Sequence, residues 1–148
     1  MRAYAAERGT DIAIRRFPSG TRTAEDAARA IGVQVGQIVK SLVFVAGSET
    51  LVVLCSGAAR VDEAKLAPAV GVIAVRRATA NEAKEATGYA IGGVPPFAHA
   101  RECRVICDRG LLAFAEVWAA SGLPDAVFPI APSELVRLSG ATVEDVAV

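Results

Sequence analysis

The sequence predicts a single α+β domain over residues 1–148, built on a mixed, barrel-like β-sheet with flanking helices. Three observations lead there. Apolar, β-branched runs outnumber segments of helical period, and some follow one another across short turns while others are separated by helices. A length of 148 residues at 53% hydrophobic content also supplies one core without disulfides or a structural metal.

Each element has a local reason. Residues 12–17 alternate as a short strand, which Pro18-Ser19-Gly20 closes as a turn. Thr23 then opens an alanine-rich helix with Glu25 and Asp26 in its first turn and Gly32 as its stop. Residues 40–46 and 50–56 are apolar strands joined by Gly47-Ser48-Glu49, a hairpin of two central strands. A helix over residues 61–67 ends before Pro68 or is interrupted by it, and residues 71–75 return to strand. The next helix has Thr79 as N-cap, Glu82 three positions on and Gly88 as its stop. Residues 104–108 form a strand, residues 117–120 and 126–130 a second hairpin, and residues 131–140 a closing helix.

Sixteen basic and sixteen acidic residues leave a formal net charge of zero. A protein that grips a long stretch of nucleic-acid backbone carries a basic excess, so that class is disfavoured. Local basic groups remain at Arg15-Arg16, Arg22, Arg60, Arg76-Arg77, Arg101 and Arg104, each with a solvated surface as its plain reading. Cys55, Cys103 and Cys107 form no C-x-x-C and have no histidine at ligand spacing, so no metal or redox site is expected. Cys55 and Cys107 sit in apolar runs as small buried side chains, and a nucleophilic Cys55 or Cys103 lacks a local histidine signature. With no apolar run of signal-peptide or membrane-span length, the expected location is the cytoplasm, without membrane contact.

Two segments carry the chemistry. Residues 88–99 place Gly92-Gly93, which frees two backbone positions so that amides can be aimed, before Pro95-Pro96, which removes two donors and fixes two φ angles. Phe97 anchors this loop, and His99 is the chain's single histidine. The plain alternative is a Gly/Pro-rich connection between strands. In residues 36–45, Lys40 enters an otherwise apolar strand, where lysine is depleted and costly to bury; an edge lysine that blocks aggregation is the plain alternative.

Taken with Thr23-Ala24-Glu25-Asp26-Ala27-Ala28, Gln37-Ile38-Val39-Lys40-Ser41-Leu42, Arg60-Val61-Asp62, Thr87-Gly88-Tyr89, Gly92-Gly93-Val94-Pro95-Pro96-Phe97 and Asp108, in that order, the chain resembles the YbaK/EbsC family of prolyl-tRNA editing domains. The resemblance implies a free-standing hydrolase that deacylates mischarged aminoacyl-tRNA. Its expected substrate is tRNA(Pro) carrying alanine, cysteine, serine, threonine or 2-aminobutyrate. It also implies that the glycine-rich loop and the lysine surround the aminoacyl-adenosine, with water attacking and the substrate's own ribose hydroxyl assisting. No cofactor is implied. The partners are the acceptor end of the tRNA and, given the neutral charge, help from prolyl-tRNA synthetase or an elongation factor.

Hydrolysis of an activated ester needs positioning, a water and a stabilised oxyanion more than a strong nucleophile. There is no G-x-S-x-G elbow. The expected catalytic elements are Lys40, as the electrostatic group, with the Gly92 and Gly93 amides facing the aminoacyl carbonyl. Ser41, Val94, Pro95, Pro96, His99 and Asp108 are the expected substrate-binding residues. Strand alternation separates Lys40 from Ser41 unless a bulge intervenes. His99 either orients water or the substrate amine or makes a structural hydrogen bond. Asp108 either binds the substrate ammonium or caps the turn at Arg109-Gly110. Thr87 and Tyr89 support the loop, and Phe97 and Trp118 belong to the core. Two other classes stay open: a catalytically silent module that binds aminoacyl-nucleotides, and a nucleic-acid-binding regulator, for which the chain lacks a basic excess and a stacking platform.

Overall fold

In the computed structural model, residues 1–17 and 23–148 are described, so the expected turn at Pro18-Ser19-Gly20 and the side chain of Arg22 lie outside the described residues. Two sheets organise the chain. The larger has the strand order β4-β2-β3-β5-β8, from β2 (Val39–Ala46), β3 (Glu49–Ser56), β4 (Arg76–Arg77), β5 (Arg104–Asp108) and β8 (Thr142–Glu144). The smaller has the order β1-β7-β6, from β1 (Arg15–Arg16), β6 (Val117–Ala120) and β7 (Ala126–Ile130). β2 is antiparallel to both its neighbours, while β3, β5 and β8 run parallel, so the larger sheet is mixed as expected. It does not close. A single bridge, Ile38 to Trp118, joins the sheets among the described residues, and the expected barrel is an open two-sheet arrangement.

The larger sheet is covered on both faces, which explains why β3 is apolar nearly throughout. Val39, Val52, Leu54, Phe97, Phe128 and Leu135 belong to a core that joins the two sheets and helix α5 (Pro132–Ser139). On the other face, Phe44, Leu51, Val53 and Ile106 pack against Leu66 of α3 (Glu63–Ala69). β2 and β3 are central, and Gly47 at φ 63 opens a two-residue hairpin loop between Ala46 and Glu49.

The helix ends follow the sequence. In α2 (Ala24–Ile31), Thr23 Oγ1 accepts from the Asp26 amide at 3.0 Å, and Gly32 ends the helix at φ 87. In α4 (Ala80–Thr87), Thr79 and Glu82 form a capping box, and Gly88 ends it at φ 84. Glu82 also receives two hydrogen bonds from Arg76, at 2.8 and 2.7 Å, which clamps the end of β4 to the start of α4.

Four expectations need correction. α1 (Arg2–Glu7) is an additional helix, held by the Tyr4 hydroxyl donating to the Leu138 carbonyl at 3.0 Å and by its ring on Phe97. Among the described residues, only Arg15 and Arg16 of the expected first strand are in register with β7, and Phe17 N–H adds a bond to the Asp125 carbonyl at 2.7 Å. The strand expected at residues 71–75 falls at Arg76–Arg77, because Gly71 takes φ 78 after α3 and Ile73 is fully exposed. β8 was not expected; it is three residues long and depends on its parallel pairing with β5. Pro68 lies in the last turn of α3, which continues to Ala69. No described helix is long and apolar enough to cross a membrane.

A candidate active site along a strand edge

A cavity of about 270 Å³ opens between the two sheets, beside the first half of β2. Lys40, Ser41, Leu42 and Val43 all line it. One face of a strand presents alternate residues, so four in succession mean that the cavity runs along the strand's edge. The β2–β3 register is unbroken from Val39 to Ala46, which places the Lys40 and Ser41 side chains on opposite faces, and both residues border the edge cavity without a bulge. Ala24 and Ala27 of α2 form one wall, Trp118 of β6 another, and the exposed side chains of Ile91 and Leu123 stand at the rim.

Lys40 is half-buried and its Nζ donates to the Ala59 carbonyl, one of three N–H donors of the ammonium and the one engaged among the described residues. Arg77 is the other cationic side chain lining the cavity among the described residues. Ser41 Oγ and Trp118 Nε1 are the buried side-chain polar atoms without a partner among the described residues, and both belong to cavity-lining residues. Trp118 is core, as expected, but it also borders the site. A lone tryptophan in an apolar run gives no signal of that second role.

The loop of residues 88–99 leaves α4 and is closed at its base by Ala100 N–H donating to the Thr87 carbonyl at 2.9 Å. Thr87 Oγ1 donates to the Ala83 carbonyl and accepts from the Tyr89 amide, the support expected of it. The structure divides the glycine pair. Gly93 N–H donates to the Ala90 carbonyl at 3.0 Å, closing a turn in which Gly92 takes φ 97, so the Gly93 amide is spent within the loop. Gly92 lines the cavity and Gly93 does not. Gly93 instead lies against the β6–β7 turn, where an added Cβ would sit 3.2 Å from the Gly122 carbonyl oxygen. Val94 lines the cavity and packs on Val43; Pro95 and Pro96 are buried outside its lining.

His99 and Asp108 are not brought to the cavity. His99 Nε2 lies 2.7 Å from the Pro95 carbonyl and, as the donor to it, ties residues 95–99 together around Ala98, a non-glycine residue at φ 64. Asp108 is 5% exposed; its carboxylate accepts from the Gly110 and Val146 amides, each at 3.0 Å. It therefore caps the turn at Arg109-Gly110, one of its two expected readings, and anchors the C-terminal segment. Burial pushes the Cys55 thiol up to about 11, against the pull of the Lys40 charge, and Cys107 up to about 12; it raises Cys103 as well. All three remain thiols near neutrality, which removes them as nucleophiles.

Burial lowers the His99 pKa from its ordinary 6.5, against the opposing effect of the Pro95 hydrogen bond. As pH falls below 6.5, the unfolded chain takes up the proton first, so folding stability declines until the folded-state pKa is passed. His99→Gln, which keeps an N–H donor but does not titrate, flattens that decline; denaturant melts at a series of pH values read the difference. An unchanged slope would show that His99 is not the titrating group.

A cavity this small takes the end of a ligand rather than a length of polymer. The chain belongs to the aminoacyl-tRNA editing domain family, whose model matches residues 18–138. It is 35% identical over 127 residues to the uncharacterized protein YwhH of Bacillus subtilis (strain 168), a match covering 85% of this chain and 80% of that one. A proline–tRNA ligase of Stenotrophomonas maltophilia (strain K279a) is 33% identical over 109 residues, 70% of this chain but 19% of the ligase. A solved structure of a candidate trans-editing enzyme for prolyl tRNA synthetase superposes with a TM-score of 0.93 at 44% identity, covering 99% of this chain and 94% of that one. The fold and family thus agree with the resemblance drawn from the motifs.

Proposed function

We propose that this domain hydrolyses, in trans, the ester of tRNA(Pro) charged with a small wrong amino acid: alanine, cysteine, serine, threonine or 2-aminobutyrate. The observation that carries the reading is the pairing, in a chain of the editing family, of a strand-edge cavity with Lys40 and Gly92 on its walls. In the reaction, a water oxygen bonds to the ester carbonyl carbon, the bond to the ribose oxygen breaks, and that oxygen leaves with a proton originating from the water. Lys40 and Arg77 supply positive charge beside the developing oxyanion or the terminal phosphate, where a partly dry wall strengthens it. Ser41 and Val94 border the aminoacyl group, while Gly93, Pro95, Pro96 and His99 hold the loop in shape.

The apolar wall of Ala24, Ala27, Ile38 and Val127 and the volume of about 270 Å³ suit a small side chain. The formal net charge of zero favours contact with the acceptor end alone, assisted by prolyl-tRNA synthetase or an elongation factor in the cytoplasm. One observation favours a second reading. Neither His99 nor Asp108 lines the cavity, so a silent module that binds aminoacyl-nucleotides would present the same walls.

Deacylation of tRNA(Pro) charged in turn with the five amino acids, with prolyl-tRNA(Pro) as control, separates the two. Accelerated loss of at least one mischarged species, with the prolyl ester spared, supports editing. Rates equal to the enzyme-free reaction for all five leave the binding module.

A further inference from the structure

Among the described residues, the strand pairings along the outer edge of β2 leave a gap at Ser41, which borders the cavity. Successive residues of a strand aim their N–H and C=O groups at opposite edges. Ile38 C=O accepts from Gly57 N–H at 2.7 Å, and Lys40, Leu42 and Phe44 continue that set toward β3. Val43 C=O accepts from Ala78 N–H at 2.9 Å, on the opposite edge. Ser41 has the parity of Val43, so its N–H and C=O face that outer edge as well. The register that pairs Phe44 with Arg77 and Val45 with Arg76 would set Ser41 against Ala80. Ala80 is instead the first residue of α4. The chain has turned away under the Thr79–Glu82 capping box and the Arg76–Glu82 clamp. Beyond Ser41 the edge is closed again by the bridge from Ile38 to Trp118.

We propose that the aminoacyl group of the substrate fills this gap as a one-residue strand, its ammonium donating to the Ser41 carbonyl and its ester carbonyl accepting from the Ser41 amide. The inference rests on the editing reading and adds the group that holds the reacting ester. Opposed residues of an antiparallel ladder exchange two hydrogen bonds, and an α-amino ester carries the same donor and acceptor across one Cα. The pairing breaks no bond. As water adds to the ester carbon, the carbonyl oxygen gains negative charge, and the Ser41 N–H is aimed at that oxygen from a rigid strand.

Pairing also separates the wrong ester from the right one without a size filter. The pyrrolidine ring of a prolyl ester sets a carbon close to the direction in which a strand N–H points and turns the ammonium hydrogens aside. Proline is excluded from this edge for the reason that excludes it from a central strand.

The test has two arms. In the first, Ser41 is replaced, by nonsense suppression, with its α-hydroxy analogue, which exchanges the backbone N–H for an ester oxygen. The kcat on the mischarged tRNA that the wild type accepts falls by about 10²–10³. The second arm uses the wild-type protein, so misfolding of the variant does not decide the matter. tRNA carrying the desamino counterpart of the accepted residue, propionyl for alanyl or 3-hydroxypropionyl for seryl, has no donor on Cα and loses tenfold or more of the acceleration over its spontaneous rate. Either arm at the level of its control overturns the pairing while leaving the editing reading in place. A wild type that deacylates none of the five species removes both.

Discussion

Lys40→Ala lowers the single-turnover rate of deacylation by about 10²–10³, the loss typical of removing one preorganised stabiliser of an oxyanion. The lost hydrogen bond from the Nζ ammonium to the Ala59 carbonyl costs folding about 1.5–3 kcal/mol, which a denaturant melt reads separately from the rate. Lys40→Arg restores little of the rate, because the site fits a compact ammonium anchored to a carbonyl and the guanidinium is larger, planar and differently directed. Retention of the wild-type rate by Lys40→Ala would transfer the electrostatic role to Arg77, the other cation on the wall among the described residues.

Gly122→Ala damages the site from outside it. An added Cβ would lie 2.7 Å from Tyr89 Cε1, and Gly122 has φ 108, a conformation that side chains rarely adopt. The backbone strain alone costs about 1–3 kcal/mol. Relief requires Tyr89 and the 88–99 loop to move away from the β6–β7 turn, taking Gly92 and Val94 with them. A displacement of that kind, on the order of 1 Å, lowers the rate about 10²-fold. Gly92→Ala is the comparison: its Cβ would meet nothing within 4 Å, so only the strain of φ 97 remains. Equal deacylation by Gly122→Ala and the wild type would mean that the hairpin does not brace the loop.

The helix ends were legible because their causes are local: Thr23, Thr79 with Glu82, and the stops at Gly32 and Gly88 all act within one turn of chain. The β2–β3 hairpin was legible for the same reason. α1 and β8 were not, since each depends on remote partners: Tyr4 on Leu138 and Phe97, and β8 on its pairing with β5. At the site, Lys40, Ser41, Gly92 and Val94 were found by residue type and do line one cavity. Asp108 and His99 have residue types that suit chemistry, but backbone amides claim the first and a loop carbonyl the second. The strand edge itself left no mark on the sequence. An unpaired backbone position depends on where a neighbouring strand stops, and no side chain records that.

The cavity lies across the seam between two sheets that share one bridging pair among the described residues, and its far walls belong to different sheets. Its aperture is therefore governed by the side chains wedged between the sheets, among them Val52, Phe97 and Phe128, none of which borders the opening. Exchanging one of these for a neighbour of slightly different volume shifts one sheet against the other as a shim shifts a hinge. The range of acyl groups admitted can then widen or narrow while the lysine, the loop and the strand edge keep their chemistry.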